Sequence, residues 1–458
     1  MSRSLPNAYA PTTRLRRATS GVLLASLFLF ALAPAASAAT STDAWLAKVG
    51  SSGANGTAAI NAYTTGSGAL VLKLKKLPAS RTLPVTLLKT SCKGSSLLTL
   101  ASVKTTSTGA VTKTSGLTAS QVKVIKKQAT GTGKFAIRVG SGTTAKCGVF
   151  TVQAVPPYVA ARVTVGRSPS SVVIDASGVW VTNWWDSTLS RINPATNTVL
   201  STIPLAIPAT AGPEAITNGA GSIWVTTTDY AAEDTYLPGS LLRLDPTTGS
   251  VVATVAIGRG AFDVAFGHGA IWVANYVDGS IQRIDPATNQ VVTTIAVLGP
   301  TGVVADATAM WVVGSLGTVT RIDPLTNMVG TTISTQPTGG SITAGGGSIW
   351  VSHPGTEGSA DGSVSRIDPT VNTVTANIPV GDLPYELAVA GGSVWVGLNK
   401  TGTLVRINAS TNAVTKVSIG AGTYALAAAD RTVWCLHNYL TPEGATEPPT
   451  GLATRVGF

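Results

Sequence analysis

A tryptophan recurs seven times at near-regular spacing through the last two thirds of this chain. The positions are Trp180, Trp224, Trp272, Trp311, Trp350, Trp395 and Trp434, with gaps of 44, 48, 39, 39, 45 and 39 residues. Each Trp lies in a short apolar run that follows a small turn, as in residues 178–181. A period of about 40 residues is typical of repeated supersecondary units that bury their faces against their neighbours.

A second motif follows each Trp and predicts a turn between two strands. It reads Arg, then Ile or Leu, then Asp or Asn, then Pro, and it begins at Arg191, Arg243, Arg283, Arg321 and Arg366, with decayed copies at Arg406 and Arg455. The Asp caps the turn and the Pro presets φ. A following Asn or Gly, such as Asn289, Asn327 or Gly249, tolerates the left-handed conformation. A β-branched run then resumes, so we expect another strand.

Each unit therefore holds four short strands, labelled A to D. Strand A is like residues 172–175, strand B carries the Trp, strand C carries the Arg, and strand D is like residues 199–204. Four-stranded units of this length predict an all-β fold, a seven-bladed β-propeller over residues 156–458. The seventh unit supplies strands A, B and C. We expect residues 158–165 to add its strand D and close the ring.

The first 38 residues read as a secretory signal peptide. Arg14, Arg16 and Arg17 precede an apolar stretch over residues 21–33, and residues 36–38 offer small side chains for cleavage. That stretch is too short for a good membrane span, and no later segment is apolar enough to be one. We therefore expect a secreted or bacterial cell-surface protein without a transmembrane segment.

Residues 39–155 are strongly basic, and the remainder is not. They hold 15 Lys and Arg against a single acid, Asp43, whereas residues 156–458 hold 13 Lys and Arg against 20 Asp and Glu. Such charge favours an anionic cell-wall polymer or a membrane surface as a partner. The alternative is that the lysines form a solvated face. We do not expect nucleic acid as the partner of an exported chain.

The pattern of this basic segment predicts a small mainly-β domain of the sandwich type. Residues 70–75 alternate between apolar and polar side chains, as a strand with one buried face does. Thr118 and Gln121 form a capping box ahead of a single helix. Cys92 and Cys147 fall in one domain of an exported chain, which favours a disulfide between them.

The repeat separates scaffold from candidate site, because a residue present in every unit is usually structural. We expect the seven Trp to pack between adjacent blades. We expect the seven Arg to pair locally, for instance with acids of neighbouring blades, and an anion-binding ring is the alternative. Departures from the repeat point to function instead. Long B–C loops occur at residues 226–240, 352–363 and 436–451, and Trp184 and Trp185 lie on the same face.

The first positions of the A strands line the mouth of the predicted channel on that face. They include three acids and two tyrosines. With the extra pair of tryptophans, the candidate ligand-binding residues are Trp184, Trp185, Glu214, Asp263, Tyr385, Glu386 and Tyr424. In the alternative interpretation the acids are hydrated, or paired with Arg167 or Arg259.

Histidine is scarce, and two of the three copies follow a motif Trp at the same distance. His353 and His437 each come three residues after their Trp, so we expect both to point toward the loop-rich face. With Glu357 nearby, they are candidates for general acid–base chemistry or a divalent metal site. No strong catalytic or metal motif is present. His268 lies between two glycines and reads as a turn residue.

The repeat resembles the YVTN-type β-propeller repeats of bacterial exported and surface proteins. Trp-Val-Thr-Asn at 180–183, Trp-Val-Ala-Asn at 272–275 and the Ser-Arg-Ile-Asp-Pro segments carry the resemblance, which covers about residues 156–458. The repeats are also similar to propellers grouped with streptogramin B lyase. That resemblance implies a metal-assisted ring-opening elimination by His and Glu at the channel mouth, although no strand A begins with His.

Two functions from different classes follow from these patterns. The first is a secreted or cell-surface protein that presents a ligand or partner site on its loop-rich face. The second is a lyase or hydrolase that acts at the channel mouth. A purely structural surface protein is a third possibility, and it predicts no saturable small ligand.

Overall fold

The protein is all-β apart from one helix, as expected. The computed structural model describes residues 41–48, 56–63, 68–74, 77, 80, 82–89, 95–108, 110–132, 135–139, 145–153, 157–232, 235–356, 358–420, 422–429, 432–437 and 450–458. The chain separates into two compact units, with the main boundary between Pro157 and Tyr158. No helix in these described ranges is long and apolar enough to cross a membrane.

The N-terminal unit is one continuous antiparallel sheet of eight strands. The strands are Ser41–Lys48, Gly56–Tyr63, Gly68–Leu74, Thr82–Lys89, Ser96–Lys104, Val111–Leu117, Phe135–Val139 and Lys146–Gln153. Their spatial order is fifth, fourth, seventh, eighth, first, second, third and sixth. The expected sandwich of two stacked sheets was therefore wrong, because Ser41–Lys48 pairs on both sides and joins the halves into one sheet.

One side of this sheet carries the core. Leu70 and Leu72 are buried at alternate positions, as the sequence pattern predicted. The helix Ala119–Thr132 packs Val122 and Ile125 into the same core. Its start has the predicted capping box.

The capping box is reciprocal. The backbone N–H of Thr118 donates to Gln121 Oε1 at 2.9 Å, and the N–H of Gln121 donates to Thr118 Oγ1 at 3.3 Å. Lys104 and Lys123 are exposed, in keeping with a basic surface. Cys92 lies outside the described residues, so its disulfide with Cys147 stays a prediction.

The C-terminal unit consists of seven four-stranded antiparallel sheets. In strand order A to D they are Pro169–Asp175, Gly178–Asn183, Thr188–Asn193 and Thr198–Pro204 (sheet 1); Ala211–Gly219, Ser222–Ala232, Thr235–Leu244 and Val251–Arg259 (sheet 2); Ala261–Gly267, Ala270–Asn275, Ser280–Asp285 and Gln290–Ala296 (sheet 3); Pro300–Ala305, Met310–Gly314, Thr318–Ile322 and Val329–Ser334 (sheet 4); Ile342–Gly345, Ser348–His353, Ser363–Asp368 and Thr373–Pro379 (sheet 5); Pro384–Ala390, Ser393–Leu398, Thr403–Asn408 and Val414–Ser418 (sheet 6); Ala425–Ala429, Thr432–His437, Thr450–Gly457 and Tyr158–Arg167 (sheet 7). Each strand pairs with the next in this order, so the repeat unit read from the sequence is the sheet itself.

The A strands contact one another in cyclic order, which gives the unit its β-propeller-like arrangement. The A strand of each sheet contacts that of the next sheet, and the A strand of sheet 7 contacts that of sheet 1. The N-terminal strand Tyr158–Arg167 pairs with Thr450–Gly457, as expected for strand D of the last sheet. The first and last parts of the unit are therefore held together by backbone hydrogen bonds.

The motif tryptophans fill the seams between sheets. Trp180 of sheet 1 shares a core cluster with Ile216 and Ile223 of sheet 2, and Trp434 of sheet 7 shares one with Val179 of sheet 1. All seven indoles are at most 1% exposed. Several donate their N–H to the carbonyl five residues earlier, at 3.0 Å in sheets 2, 3 and 5. The prediction of inter-sheet packing is confirmed for these positions.

The motif arginines bind the neighbouring sheet through neutral groups. Arg243 lies over the Trp224 ring at 5.2 Å, and its Nη1 donates to Pro286 O at 2.8 Å and Asn289 Oδ1 at 3.1 Å. The expectation of acidic partners was wrong for the arginines whose contacts are seen. The motif acid is used within its own turn: Asp245, for example, accepts the backbone N–H groups of Thr247 and Thr248 there.

The long B–C connections differ from one another. Residues 226–240 were expected to be a loop, but the B and C strands of sheet 2 continue through them as a hairpin, with Tyr230 opposite Tyr236. Residues 352–363 include a short irregular segment, and residues 438–449 lie outside the described part of the chain. The sheet 2 hairpin is therefore the best-defined departure from the repeat.

Candidate functional site

Three acids lie on A strands that meet at the centre of the ring. Glu214, Asp263 and Glu386 belong to the A strands of sheets 2, 3 and 6. Tyr385 lies beside Glu386, and Tyr424 immediately precedes the A strand of sheet 7. All five lie deep in the unit but keep part of their surface open. We call this set the mouth cluster.

Each acid of the mouth cluster is held by neutral donors. Asp263 Oδ2 accepts the backbone N–H of Val303 at 2.8 Å, from the next A strand. Glu386 Oε1 accepts the hydroxyl of Ser341 at 2.6 Å, just before the A strand of sheet 5. These bonds fix the carboxylates against adjacent sheets while leaving their charge uncompensated.

The third acid is reached through a short relay of hydrogen bonds. Trp184 Nε1 donates to Thr228 Oγ1 at 3.2 Å, and that hydroxyl donates to Glu214 Oε2 at 3.1 Å. The relay joins the B–C turn of sheet 1 to the hairpin and A strand of sheet 2. Of the two adjacent tryptophans, Trp184 is thereby connected to the mouth, while Trp185 is half-buried next to it.

Burial makes the three carboxyls poor acids. Desolvation raises the pKa of Glu214 to about 7, against a smaller opposing effect of the Thr228 hydroxyl. Desolvation, reinforced by the charge of Glu386, raises the pKa of Asp263 to about 7. Desolvation also raises the pKa of Glu386. Glu214 and Asp263 therefore change protonation near neutral pH.

The charges of these acids, which come from different sheets, also raise the pKa values of nearby tyrosines. Burial, and then the charges of Glu214 and Glu386, raise the pKa of the Tyr385 hydroxyl. Burial, followed by the charge of Glu214, raises the pKa of Tyr230 as well. Acids of sheets 2 and 6 thus act on one tyrosine, which indicates that the members of the mouth cluster share one electrostatic environment.

The proposed pairing of these acids with arginine was wrong. Arg167 Nε binds Asp186 Oδ1, and Arg259 Nε binds Asp278 Oδ1, each at 2.6 Å. In both cases the same aspartate also accepts the backbone N–H of its arginine. Within the described residues, no ion pair joins a cation to the three mouth acids, because these arginines are clamped to the B–C turns of sheets 1 and 3.

Aromatic rings flank the acids on two sides. On one side the rings of Trp184, Tyr230, Tyr236, Phe262 and Tyr276 follow one another across sheets 1 to 3, with centroid separations of 5.9, 4.6, 5.9 and 5.1 Å. On the other side Tyr385 and Tyr424 lie 5.3 Å apart. The sequence-based candidates omitted four of these rings.

The omitted rings are Tyr230, Tyr236, Phe262 and Tyr276, and a signal for three of them was present. Tyr230 and Tyr236 are the aromatic residues of the long sheet 2 insertion, and Phe262 directly precedes Asp263. Their joint position depends on the insertion folding as a hairpin toward sheet 3. A loop would not have defined it.

The two candidate histidines are interior residues. His353 is 2% exposed, with Nδ1 at 3.0 Å from Thr338 O and Nε2 at 2.8 Å from Ser365 Oγ. His437 is 1% exposed, with Nδ1 at 2.8 Å from Gly422 O and Nε2 at 2.8 Å from Thr454 Oγ1. Both rings were expected to face the loops. One nitrogen of each ring is hydrogen-bonded to a strand C hydroxyl of its own sheet, and the other to a carbonyl of the connection that precedes strand A, so both rings are buried between the sheet and that connection.

The metal and acid–base interpretation loses its geometric basis at these positions. Burial lowers the pKa of His353, which favours the neutral form of the ring. Glu357 lies outside the described residues. In the described ranges, no three His, Cys, Asp or Glu side chains converge as metal ligands would. His268 is a turn residue with φ 50°, as predicted.

Comparison with known proteins supports the fold alone. No protein-family model matches the chain, and no curated protein matches it. Among solved structures, a chain of Kuenenia stuttgartiensis hydrazine synthase is similar, with 16% sequence identity and a TM-score of 0.50. The match covers 60% of this chain and 93% of that one. At this identity the likeness extends to a β-propeller-like fold and carries nothing about activity.

Proposed function

We propose that this protein is a secreted or cell-surface binding protein that takes a ligand at the mouth cluster. One observation carries the proposal: three deep carboxylates, with no cationic partner in the described structure, are flanked by half-buried aromatic rings. Scaffold acids are normally exposed or paired. Keeping three uncompensated acids at one place costs folding free energy, which a bound ligand would offset.

The seven sheets would be the blades of a seven-bladed propeller of the YVTN or streptogramin B lyase-like type. The cyclic contacts of the A strands and the shared strand of sheet 7 support this assignment. A rigid ring of this kind suits binding, because side chains from several sheets meet at one opening without moving.

The remaining assignments rest on the sequence. Residues 1–38 would direct export, and the Cys92–Cys147 disulfide would form in the oxidising exterior. The basic segment 39–155 would hold the protein against an anionic cell-wall polymer or membrane surface, through charge of the kind seen at the exposed Lys104 and Lys123.

A second candidate is a lyase or hydrolase acting at the same mouth. The observation that favours it is the pKa of about 7 at both Glu214 and Asp263, because a carboxyl poised near neutral pH suits general acid–base catalysis. The interior histidines would take no part. This enzyme would therefore work with carboxyls, unlike the His-dependent chemistry that the lyase resemblance implies.

A binding screen with matched variants tests the proposal. The protein without residues 1–38 is screened by thermal shift against amines, glycans, wall fragments and divalent metals, and each hit is titrated by calorimetry. Glu214→Gln and Tyr385→Ala should each weaken a hit at least tenfold, while Asp368→Asn, at the last position of strand C in sheet 5, should not. Hits that all three variants bind equally would overturn the mouth as the site. Turnover of a hit, lost in Glu214→Gln, would favour the enzyme.

A further inference from the structure

The mouth cluster leaves carboxylate oxygens open where a ligand would lie. Glu214 accepts a hydrogen bond at Oε2, and Glu386 accepts its hydrogen bonds at Oε1. Within the described residues, Glu214 Oε1 and Glu386 Oε2 accept none. Both side chains lie deep in the ring and keep some exposed surface there. Glu214 and Glu386 thus each present an acceptor oxygen without a hydrogen-bond partner in the described structure.

The chemistry of these groups selects a cation. A desolvated carboxylate gains most from a positive charge, and its hydrogen bonds to such a group are about twice as strong as neutral ones. Within the described residues of the C-terminal unit no ion pair joins a cation to these acids, and Arg167 and Arg259 are bound to Asp186 and Asp278. An anionic ligand would meet three like charges at this place.

The aromatic side chains select an organic cation over a metal ion. In the described ranges no three carboxylates or imidazoles converge on one point, as a divalent ion requires. Rings instead line both sides of the acids, at Phe262 and Tyr230 on one side and at Tyr385 and Tyr424 on the other. Aromatic faces attract ammonium groups and pack against their alkyl carbons.

The origin of the three acids in different sheets favours a ligand with more than one positive charge. Glu214 and Asp263 come from sheets 2 and 3, whereas Glu386 comes from sheet 6, on another part of the ring. The charge of Glu386 nevertheless acts on Asp263. Because no three of these side chains converge on one point within the described residues, two ammonium groups joined by a short alkyl chain fit them better than a single ammonium group.

We propose that the mouth cluster binds an aliphatic diamine or polyamine, with its ammonium groups on Glu214, Asp263 and Glu386 and its alkyl chain against Tyr385, Tyr424 and Phe262. This inference rests on the proposed binding function and names the ligand class for it. Glu386 and Glu214 each supply an open oxygen, and the tyrosines supply apolar surface between them.

Proton release gives the proposal a specific signature. The titratable groups facing the ligand are Glu214, Asp263, Glu386, Tyr230, Tyr385 and Tyr424. Burial raises the pKa of Tyr230 and of Tyr385, so these two hydroxyls stay protonated. A bound ammonium group favours the ionised carboxyl, so binding at pH 7 should release protons. Affinity should fall at least tenfold as pH falls from 8 to 5.

Calorimetry with 1,4-diaminobutane and spermidine, in phosphate and in HEPES at pH 7, tests the proposal. We expect saturable binding of both amines, a heat that differs between the buffers, and at least tenfold weaker binding to Glu386→Gln and Glu214→Gln. Asp368→Asn is the matched control and should bind normally. Thermal unfolding of each variant shows that it is folded, since removing a buried charge should not lower the melting temperature.

The outcomes separate this inference from the proposed function. If choline or magnesium binds as tightly as the diamine, or if the heats are independent of buffer, the diamine proposal is wrong. If a neutral glycan binds at the mouth and Glu214→Gln abolishes that binding, the diamine proposal fails while the binding function stands. If no probe distinguishes the mouth variants from the wild type, both fail.

Discussion

Asn289 accepts a hydrogen bond from Arg243 Nη1 at 3.1 Å while its own backbone has φ 58°. One residue thus performs two tasks: it reverses the chain between strands C and D of sheet 3, and it binds the arginine of sheet 2. Asn327 repeats the arrangement toward Arg283 at 2.9 Å, and Asn197 repeats it toward Arg455 at 3.2 Å. The last of these joins sheet 7 to sheet 1. The turn motif is therefore also a connector between sheets.

Substitutions at Asn289 should separate the two tasks. Asn289→Gly keeps the left-handed backbone and removes the acceptor, so it should lower the free energy of unfolding by about 1 kcal/mol. Asn289→Ala also removes the acceptor but, unlike Gly, keeps a Cβ at positive φ without the polar side chain that lets Asn tolerate this conformation, so it should cost about 1 kcal/mol more than Asn289→Gly. Denaturant unfolding measures both. Equal losses for Gly and Ala would mean that backbone strain at this turn is negligible.

Asn372 provides the matched control. It has φ 54°, but its Oδ1 is buried and without a hydrogen-bond partner in the described structure. Asn372→Gly therefore removes an unsatisfied acceptor and keeps the backbone, so we expect no loss of stability or a small gain. A loss as large as that of Asn289→Gly would contradict the account of the arginine contact.

The strand Tyr158–Arg167, which completes sheet 7, should be required for the stability of the C-terminal unit. Val163 is buried between sheets 7 and 1, and its neighbour Thr164 is exposed. Val163→Asp should place a charge in that seam and cost at least about 3 kcal/mol, whereas Thr164→Asp should change stability by about 0.5 kcal/mol or less. Thermal unfolding followed by tryptophan fluorescence compares them. Similar melting temperatures would argue against closure by this strand.

Acid should stabilise the C-terminal unit. The pKa of Glu214 rises from 4.5 to about 7 and that of Asp263 from 3.8 to about 7, so the folded state binds protons more tightly than the unfolded chain. The extra stability is fully present below about pH 4 and is lost as pH rises through about 7. At about 1.4 kcal/mol per pKa unit, it should be on the order of 3–4 kcal/mol per carboxyl.

The measurement is the melting temperature between pH 5 and pH 8. It should rise as pH falls over this range for the wild type. It should be flatter, and higher at pH 8, for the Glu214→Gln, Asp263→Asn double variant. Asp245→Asn removes an exposed acid whose pKa is lowered by hydrogen bonds within its turn, so it should leave the slope unchanged. A wild-type slope of opposite sign would refute the desolvation argument.

The scaffold was predictable because every unit repeats the same packing and turn residues. Packing of Trp180 and its six equivalents, the left-handed Asn289 and the strand added from residues 158–165 all follow from the spacing and from turn chemistry. The partners of the arginines were not predictable in this way. The sequence does not reveal that the carboxylate of Asp245 accepts hydrogen bonds within its own turn. An acid was therefore the expected partner of each motif arginine.

The candidate site was predictable in its acids and not in its rings. Glu214, Asp263 and Glu386 could be located by counting back from each Trp, because strand length is constant. The positions of Tyr230 and Tyr236 depend on how the sheet 2 hairpin packs toward sheet 3. This packing is a tertiary contact that the local sequence does not determine. The functional role predicted for the two histidines failed for a related reason. A side chain at the end of strand B can turn inward when strand C offers it a polar side chain as a hydrogen-bond partner.

The hydrogen bond between the end of strand B and strand C recurs in several sheets. The side chain three residues after a motif Trp binds the side chain just before the motif Arg in four sheets: Asn183 with Ser190, Asn275 with Gln282, His353 with Ser365 and His437 with Thr454. A histidine here therefore does the same work as an asparagine. Its role is to satisfy buried polar groups.

His353→Ala should lower the free energy of unfolding by about 2–3 kcal/mol, because it removes the hydrogen bonds of the buried ring to Ser365 Oγ and Thr338 O and leaves a cavity in its place. His353→Asn, which copies sheets 1 and 3, should recover at least about half of that loss. Both variants, once folded, should bind ligand at the mouth cluster like the wild type, as judged by calorimetry beside a denaturation curve. A variant of undiminished stability that loses turnover or binding would instead make His353 a functional residue, because a purely structural ring cannot affect a site without affecting the fold.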